Sequence, residues 1–258
     1  MDRSLPAVVF IHGIGGGARL WAPQMTSFSA AGHYRPVALD LPGYGERPAV
    51  DQMDFEGLAA DIEAEIARLG LPRPVLVGHS MGGMVAQTAL RRRPNAYRAA
   101  VLACTSPAFG SGTGEFQKKF VADRLAPLEA GKTMADISRT VVAAAMGPNP
   151  DIAGRALASA AMAATPERTY RAAVHCLVGF DERANLAAIR IPVLCLAGEH
   201  DLLAPPSGIE RMARKIPHAR YVCLSGVGHF ANLEAPPAFD AVLFAFLAQV
   251  PELRSSDR

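Results

Sequence analysis

The hexapeptide Gly78-His79-Ser80-Met81-Gly82-Gly83 constrains this chain more than any other stretch. It follows the apolar run Pro74-Val75-Leu76-Val77 and precedes a helical pattern over Met84–Arg92, so the backbone must pass from strand to helix inside it. G-x-S-x-G in that setting is a nucleophile elbow, in which the glycines admit a turn too tight for side chains beside the serine. The serine backbone is strained there and its hydroxyl stands exposed. The following helix aims its first N–H dipoles at the oxygen that reacts. A bare glycine turn would need no downstream partners, and two are present.

Ser80 requires a base, because a hydroxyl is a poor nucleophile at neutral pH. Seven histidines compete. His229, in Ser225-Gly226-Val227-Gly228-His229-Phe230, follows the last predicted strand in a glycine-flanked loop, at the sheet edge that carries the elbow. His12 and His79 belong to glycine turns and are expected to pack or orient them, while His33, His175 and His218 read as surface or partly buried residues. His200 precedes the proposed acid and is not the obvious base. The loop after Pro192-Val193-Leu194-Cys195-Leu196-Ala197 offers Glu199 and Asp201 as acids. Asp201 is taken as the orienting carboxylate, and Glu199 is expected to face solvent or cap the turn. The order Ser80, Asp201, His229 differs from those of chymotrypsin-like and subtilisin-like proteases.

His12-Gly13-Ile14-Gly15-Gly16-Gly17 follows the first apolar run and can turn a backbone N–H, that of Ile14, towards the point served by the N–H of Met81. Two such donors form an oxyanion hole, and losing one typically costs about 3–4 kcal/mol of transition-state stabilisation. A phosphate loop is excluded by the absence of the Gly-Lys-Ser/Thr ending, and the match to a dinucleotide fingerprint is poor.

Alternation of Val/Leu/Ile-rich runs with helical patterns predicts an α/β chain on a mostly parallel sheet. Strands are expected at Ala7–Ile11, Arg35–Leu39, Pro74–Val77, Ala99–Ala103, Val193–Ala197 and Arg220–Leu224. Helices are expected near Trp21–Ala31, Asp54–Arg68, Met81–Arg92, Gly208–Ile216 and Pro237–Gln249. Phe55, Leu58, Ile62 and Ile66 lie on one face among carboxylates, so that helix is amphipathic with a solvated acidic face. From Phe109 to Asn185 the strand pattern stops, and helical stretches such as Arg155–Ala164 follow a Gly110-Ser111-Gly112-Thr113-Gly114 hinge. An insertion after a strand's carboxyl end can cover the ligand crevice, which predicts a lid. The expected organisation is a core of residues 1–108 and 186–258 with a helical cap at 109–185.

Half the residues are hydrophobic and 19% are charged, enough apolar material to cover both faces of such a sheet. The formal charge of +2 argues against a nucleic-acid partner. The dense basic run Arg91-Arg92-Arg93 closes a helix before Pro94, where cations suit the dipole. No apolar stretch reaches the length of a membrane span. The stretch from Met1 to Pro6 lacks the pattern of a signal peptide, and a cytoplasmic chain is expected. The four cysteines include no C-x-x-C pair; Cys104, Cys195 and Cys223 lie in apolar runs, and buried free thiols are expected. No cofactor or metal is implied, since no motif such as H-E-x-x-H occurs.

Taken together, His12-Gly13-Ile14-Gly15-Gly16, Asp40-Leu41-Pro42-Gly43-Tyr44-Gly45, the elbow, Gly198-Glu199-His200-Asp201 and Gly228-His229-Phe230-Ala231-Asn232-Leu233-Glu234-Ala235-Pro236 resemble the α/β-hydrolase fold family along essentially the whole chain. Trp21-Ala22-Pro23-Gln24, Phe180-Asp181-Glu182-Arg183 and His229–Glu234 look like 3-oxoadipate enol-lactonases and related carboxylesterases. The chain departs from them at Leu41-Pro42-Gly43-Tyr44-Gly45, where enol-lactonases usually carry Arg-Gly-His-Gly, and its cap contains no tryptophan. His79 and Phe230 depart from ring-cleavage C–C hydrolases, and Ser80 from the aspartate of epoxide hydrolases and dehalogenases. The family's two opening strands have no room before Ala7. On the family's strand order Arg35–Leu39 becomes an edge, which Pro36 suits.

The resemblance implies acyl transfer to water through Ser80, His229 and Asp201, with Ile14 and Met81 at the oxyanion and Trp21 and Phe230 touching a small-molecule ester or lactone. C–C bond hydrolysis, a haloperoxidase side activity and a non-enzymatic ligand receptor are the rival readings, and the chain is expected to be a monomer or homodimer. A carboxylate on the substrate would call for an arginine near the mouth, Arg19 or Arg124.

Overall fold

The computed structural model describes residues 5–110 and 114–251. Positions 111–113 of the expected hinge and positions 1–4 of the opening stretch lie outside them. β1 (Ala7–Ile11), β2 (Arg35–Leu39), β3 (Val75–His79), β4 (Ala99–Ala103), β5 (Val193–Gly198) and β6 (Arg220–Leu224) form one sheet in the order β2-β1-β3-β4-β5-β6. Every pairing is parallel. The expected strands are all present, with β3 running on through Gly78 and His79.

The order contains the reason the site lies where it does. From β1 the chain goes outward to β2, then returns across β1 to lay down β3 on its other side. The connections leaving β1 and β3 therefore diverge, and a crevice opens between them at the carboxyl end of the sheet. The glycine turn after β1 and the elbow after β3 are the two loops bordering it.

Alternation along the strands feeds two cores. Val9, Ile11, Leu76, Leu102 and Cys195 face the side covered by α2 (Phe55–Arg68), α3 (Met81–Arg92) and α8 (Pro206–Ala213). Val8, Phe10, Val77, Val101 and Leu196 face α1 (Ala22–Ala31) and α10 (Pro236–Leu247). A central parallel strand buried on both faces reads as continuous apolar sequence, as β1 does. α2 is capped by Asp54, whose carboxylate accepts the Gly57 N–H at 2.7 Å, so the helix itself starts at Phe55, one residue later than the pattern suggested.

β2 pairs only with β1, so Arg35–Leu39 is an edge and Pro36 sits where a missing N–H costs no second ladder. β6 is the opposite edge, and this corrects the expectation for the thiols. Cys223 is exposed on it, whereas Cys104, Cys176 and Cys195 are buried. The apolar run Tyr221-Val222-Cys223-Leu224 reads like a central strand, but an edge strand lacks a neighbour on one side.

Between β4 and β5 lie α4 (Glu115–Glu129), α5 (Met134–Ala145), α6 (Ile152–Ala163) and α7 (Glu167–Leu177). They assemble around a third core in which Leu125, Ile137, Val142, Ala161, Met162 and Tyr170 meet. α5 begins with a reciprocal Thr133–Asp136 capping box and α6 with Asp151 accepting the Gly154 N–H. Among the described residues no helix is long and apolar enough to cross a membrane.

Candidate active site

Ser80 occupies the bend between β3 and α3 at φ 54°, in the left-handed region that a non-glycine residue enters only under constraint. Gly82 explains how the bend is held. A Cβ there would meet the Ile11 carbonyl oxygen at 2.2 Å, so only glycine lets α3 start this close to β1. The Thr105 hydroxyl donates to the Ser80 carbonyl at 2.7 Å, tying the bend to the end of β4.

Nε2 of His229 lies 2.9 Å from Oγ of Ser80, and its Nδ1 lies 2.8 Å from Oδ2 of Asp201. The other Asp201 oxygen accepts the N–H groups of Leu203 at 2.8 Å and Ala204 at 2.9 Å. Burial would raise the Asp201 carboxyl, but the His229 ring and those two N–H groups outweigh it and hold the group below the usual carboxylate range. The structure thus joins three residues from three strand ends in a donor–acceptor chain aimed at one oxygen. Glu199 is exposed and accepts from the Ser225 hydroxyl and the Gly226 N–H, so it caps the turn after β6.

The turn after β1 comes against the serine. A Cβ on Gly13 would stand 2.9 Å from that of Ser80, and Ile14 borders the cavity in front of it. Met81 opens α3, where the first N–H groups have no acceptor within the helix. His12 and His79 orient these loops. The His12 ring donates from Nδ1 to the Gly13 carbonyl and accepts the Leu41 N–H at Nε2, while His79 donates from Nε2 to the His229 carbonyl at 2.7 Å.

Both of these rings are buried, and burial is the main reason their pKa values fall from 6.5, to about 4 for His12 and about 3 for His79. The sign of the resulting pH dependence follows directly. Between pH 6.5 and 4 the unfolded chain binds protons that the folded chain refuses, so stability is complete above pH 6.5 and declines as pH falls. At pH 5 each ring costs about 2 kcal/mol. Urea unfolding at pH 7.5 and pH 5 should show that decline, with about one proton taken up per ring. A stability that is flat across this window would contradict the assigned rings.

A carboxylate that the sequence motifs left without a role anchors the histidine loop. Glu234, in the short helix α9 (Ala231–Glu234), is buried and accepts the N–H groups of Gly147, Gly228 and Phe230 at 2.7, 2.9 and 2.9 Å. Gly147 belongs to the inserted helical segment, and the His229 N–H donates to Ala145 of the same segment at 2.8 Å. Residues between β4 and β5 therefore hold the histidine loop through these hydrogen bonds. An acidic residue in the stretch Ala231–Ala235, directly after His229 and Phe230, was the available signal.

A cavity of about 310 Å³ opens in front of Ser80. Its floor includes Gly13, Ile14, His229 and Phe230, and the inserted helices contribute Phe120, Arg124, Met162 and Tyr170. Exposed Phe116, Leu202 and Leu203 flank its mouth. Phe230 is thus among the residues bordering the cavity. Trp21 is not, and that expectation is corrected. Its indole is fully buried against Phe10 and Phe239 beneath the site, because the residue precedes α1 on the face packed against α10. Of the two arginines considered for the mouth, Arg124 borders the cavity and Arg19 does not. Among the described residues no group of His, Cys, Asp and Glu is gathered to hold a metal ion.

Comparison with known proteins gives a consistent picture. A family model described as alpha/beta hydrolase fold matches residues 6–236. The chain is 29% identical over 255 residues, covering 95% of each sequence, to a Pseudomonas syringae pv. syringae protein provisionally named carbamate hydrolase RutD. The enol-lactonase of Burkholderia xenovorans LB400 superimposes with a TM-score of 0.83 at 24% identity, over 96% of this chain and 94% of that one. An esterase from Exiguobacterium antarcticum gives 0.84 at 20% identity, over 93% and 91%.

Proposed function

Because the chain belongs to the alpha/beta hydrolase fold family, we propose that it is a serine hydrolase cleaving a small carboxylic ester or lactone through an acyl-enzyme on Ser80. The observation that carries this reading is the unbroken chain from Ser80 Oγ through His229 to Asp201, both links under 3 Å, opening onto an apolar cavity. His229 takes the Ser80 proton as Oγ bonds to the carbonyl carbon, and Asp201 stabilises the imidazolium formed. The Ile14 and Met81 N–H groups receive the oxyanion. Collapse of the tetrahedral species breaks the bond to the leaving oxygen, which takes the proton back from His229. Water then repeats the sequence on the acyl-enzyme and releases the acid. A volume of about 310 Å³, at the low end of small-molecule pockets, suits a short acyl group.

The test is a fluorophosphonate ester with mass spectrometry of the intact protein and of its peptides, alongside turnover of short-chain aryl esters, an enol-lactone, a carbamate and a ring-cleavage diketone. One label per chain at Ser80 and many turnovers on an ester or lactone are expected. Labelling elsewhere overturns the nucleophile. Turnover confined to a ring-cleavage diketone, or to the carbamate, overturns the ester assignment. Ligand-dependent capture of a protein partner without repeated turnover would make the chain a receptor.

A further inference from the structure

The cavity in front of Ser80 is walled by apolar side chains such as Leu20, Met84, Phe120 and Met162, and no Asp or Glu is among the described residues that line it. One permanent cation does. Arg124, on α4, is partly buried, with its guanidinium 5.5 Å from the centroid of the Phe120 ring and beside the Tyr170 hydroxyl.

Several other arginines of this protein meet carboxylates. Arg47 pairs with Asp61, Arg91 with Glu182, Arg92 with Glu63, and Arg171 with Glu129 and Glu167. Arg124 makes no ion pair among the described residues, and the neighbouring acid, Asp123, is taken by Lys119. A guanidinium partly withdrawn from water with no anion beside it is costly. The Phe120 face and the Tyr170 hydroxyl offset part of that cost, and the hydroxyl accepts from one of the five N–H donors.

Resting on the hydrolase reading above, we propose that Arg124 is a specificity-determining residue that selects an anionic substrate, an ester or lactone carrying a carboxylate in addition to the scissile carbonyl. The planar guanidinium matches a carboxylate bidentately. The apolar walls raise the strength of that pair by excluding water. The contact is remote from the bond that breaks and equally present before and in the transition state, so its loss is felt mainly in KM.

The experiment compares monomethyl adipate with dimethyl adipate, which share a carbon chain and differ in one charge. The wild type should favour the monoester in kcat/KM, and in Arg124→Met the ratio of the two should fall by about tenfold or more, chiefly through KM. A wild type that prefers the diester, or a ratio unchanged in the variant, overturns the proposal. If neither ester turns over, calorimetry decides the role of Arg124 separately, and the hydrolase reading stands or falls on the labelling and turnover of its own panel. In the Ser80→Ala background 5-oxohexanoate should bind about tenfold or more tightly than its methyl ester, and Arg124→Met should erase the difference. Equal binding of the two, or no binding of either, again overturns the role of Arg124.

Discussion

Ser80→Ala is expected to lower kcat on any ester the protein turns over by roughly four to six orders of magnitude, with little change in stability. The large effect follows from geometry. Alanine leaves the His229–Asp201 pair and the cavity intact but removes the one oxygen 2.9 Å from the imidazole. The small structural effect follows as well, since alanine meets the same positive φ as serine and the bend is held by contacts of its backbone and of Gly82. Initial rates with a chromogenic ester, together with urea unfolding of both proteins, measure the two quantities. A variant that retains a tenth of the activity would mean that another group attacks the carbonyl.

Asp201→Asn should cost about 10⁴-fold in kcat, for a reason specific to the contacts of this carboxylate. Oδ1 accepts two backbone N–H groups, from Leu203 and Ala204, so an asparagine must place its carbonyl oxygen there and its NH₂ towards His229. Nδ1 then becomes an acceptor, the imidazole proton moves to Nε2, and the ring donates to Ser80 when it should accept. The variant should still take up the fluorophosphonate, but far more slowly. Undiminished labelling would show that Asp201 does not set the tautomer. The pH behaviour is a second check. A carboxyl held below its ordinary range stabilises the fold at every pH above the unfolded value of about 4 and loses that contribution only as pH falls through the lower folded value. The wild type should therefore exceed Asp201→Asn in stability at pH 6, and the gap should close in strong acid.

Much of the framework was legible before any coordinates. Strand positions followed from apolar runs bounded by turn residues, and the elbow followed from glycines whose purpose is local. The edge position of Arg35–Leu39 was implied by the strand order of the family that the chain resembles, and Pro36 suits it because proline cannot donate to a ladder on both sides. Cys223 and Trp21 were misread for one shared reason. Whether an apolar run is central or peripheral, and whether an aromatic residue near a turn points into a crevice or beneath it, depends on neighbours distant in sequence. The buried contact of Trp21 with Phe239 spans more than two hundred residues of chain.

The role of Glu234 shows the same boundary from the other side. Its place in the run after His229 was visible, yet its three N–H partners come from its own loop and from Gly147 in the inserted helices. By itself, the amino-acid sequence determined the parallel α/β framework, the elbow and the identity of Ser80, Asp201 and His229 as a candidate set. Periodicity, turn chemistry and chain order are properties of short segments and survive in one dimension. Only the tertiary structure decided that those three groups lie within hydrogen-bonding distance, that the insertion grips the histidine loop, and that Arg124 rather than Arg19 borders the cavity. Those outcomes are set by packing between segments far apart in the chain, where tenths of an ångström separate a contact from a gap.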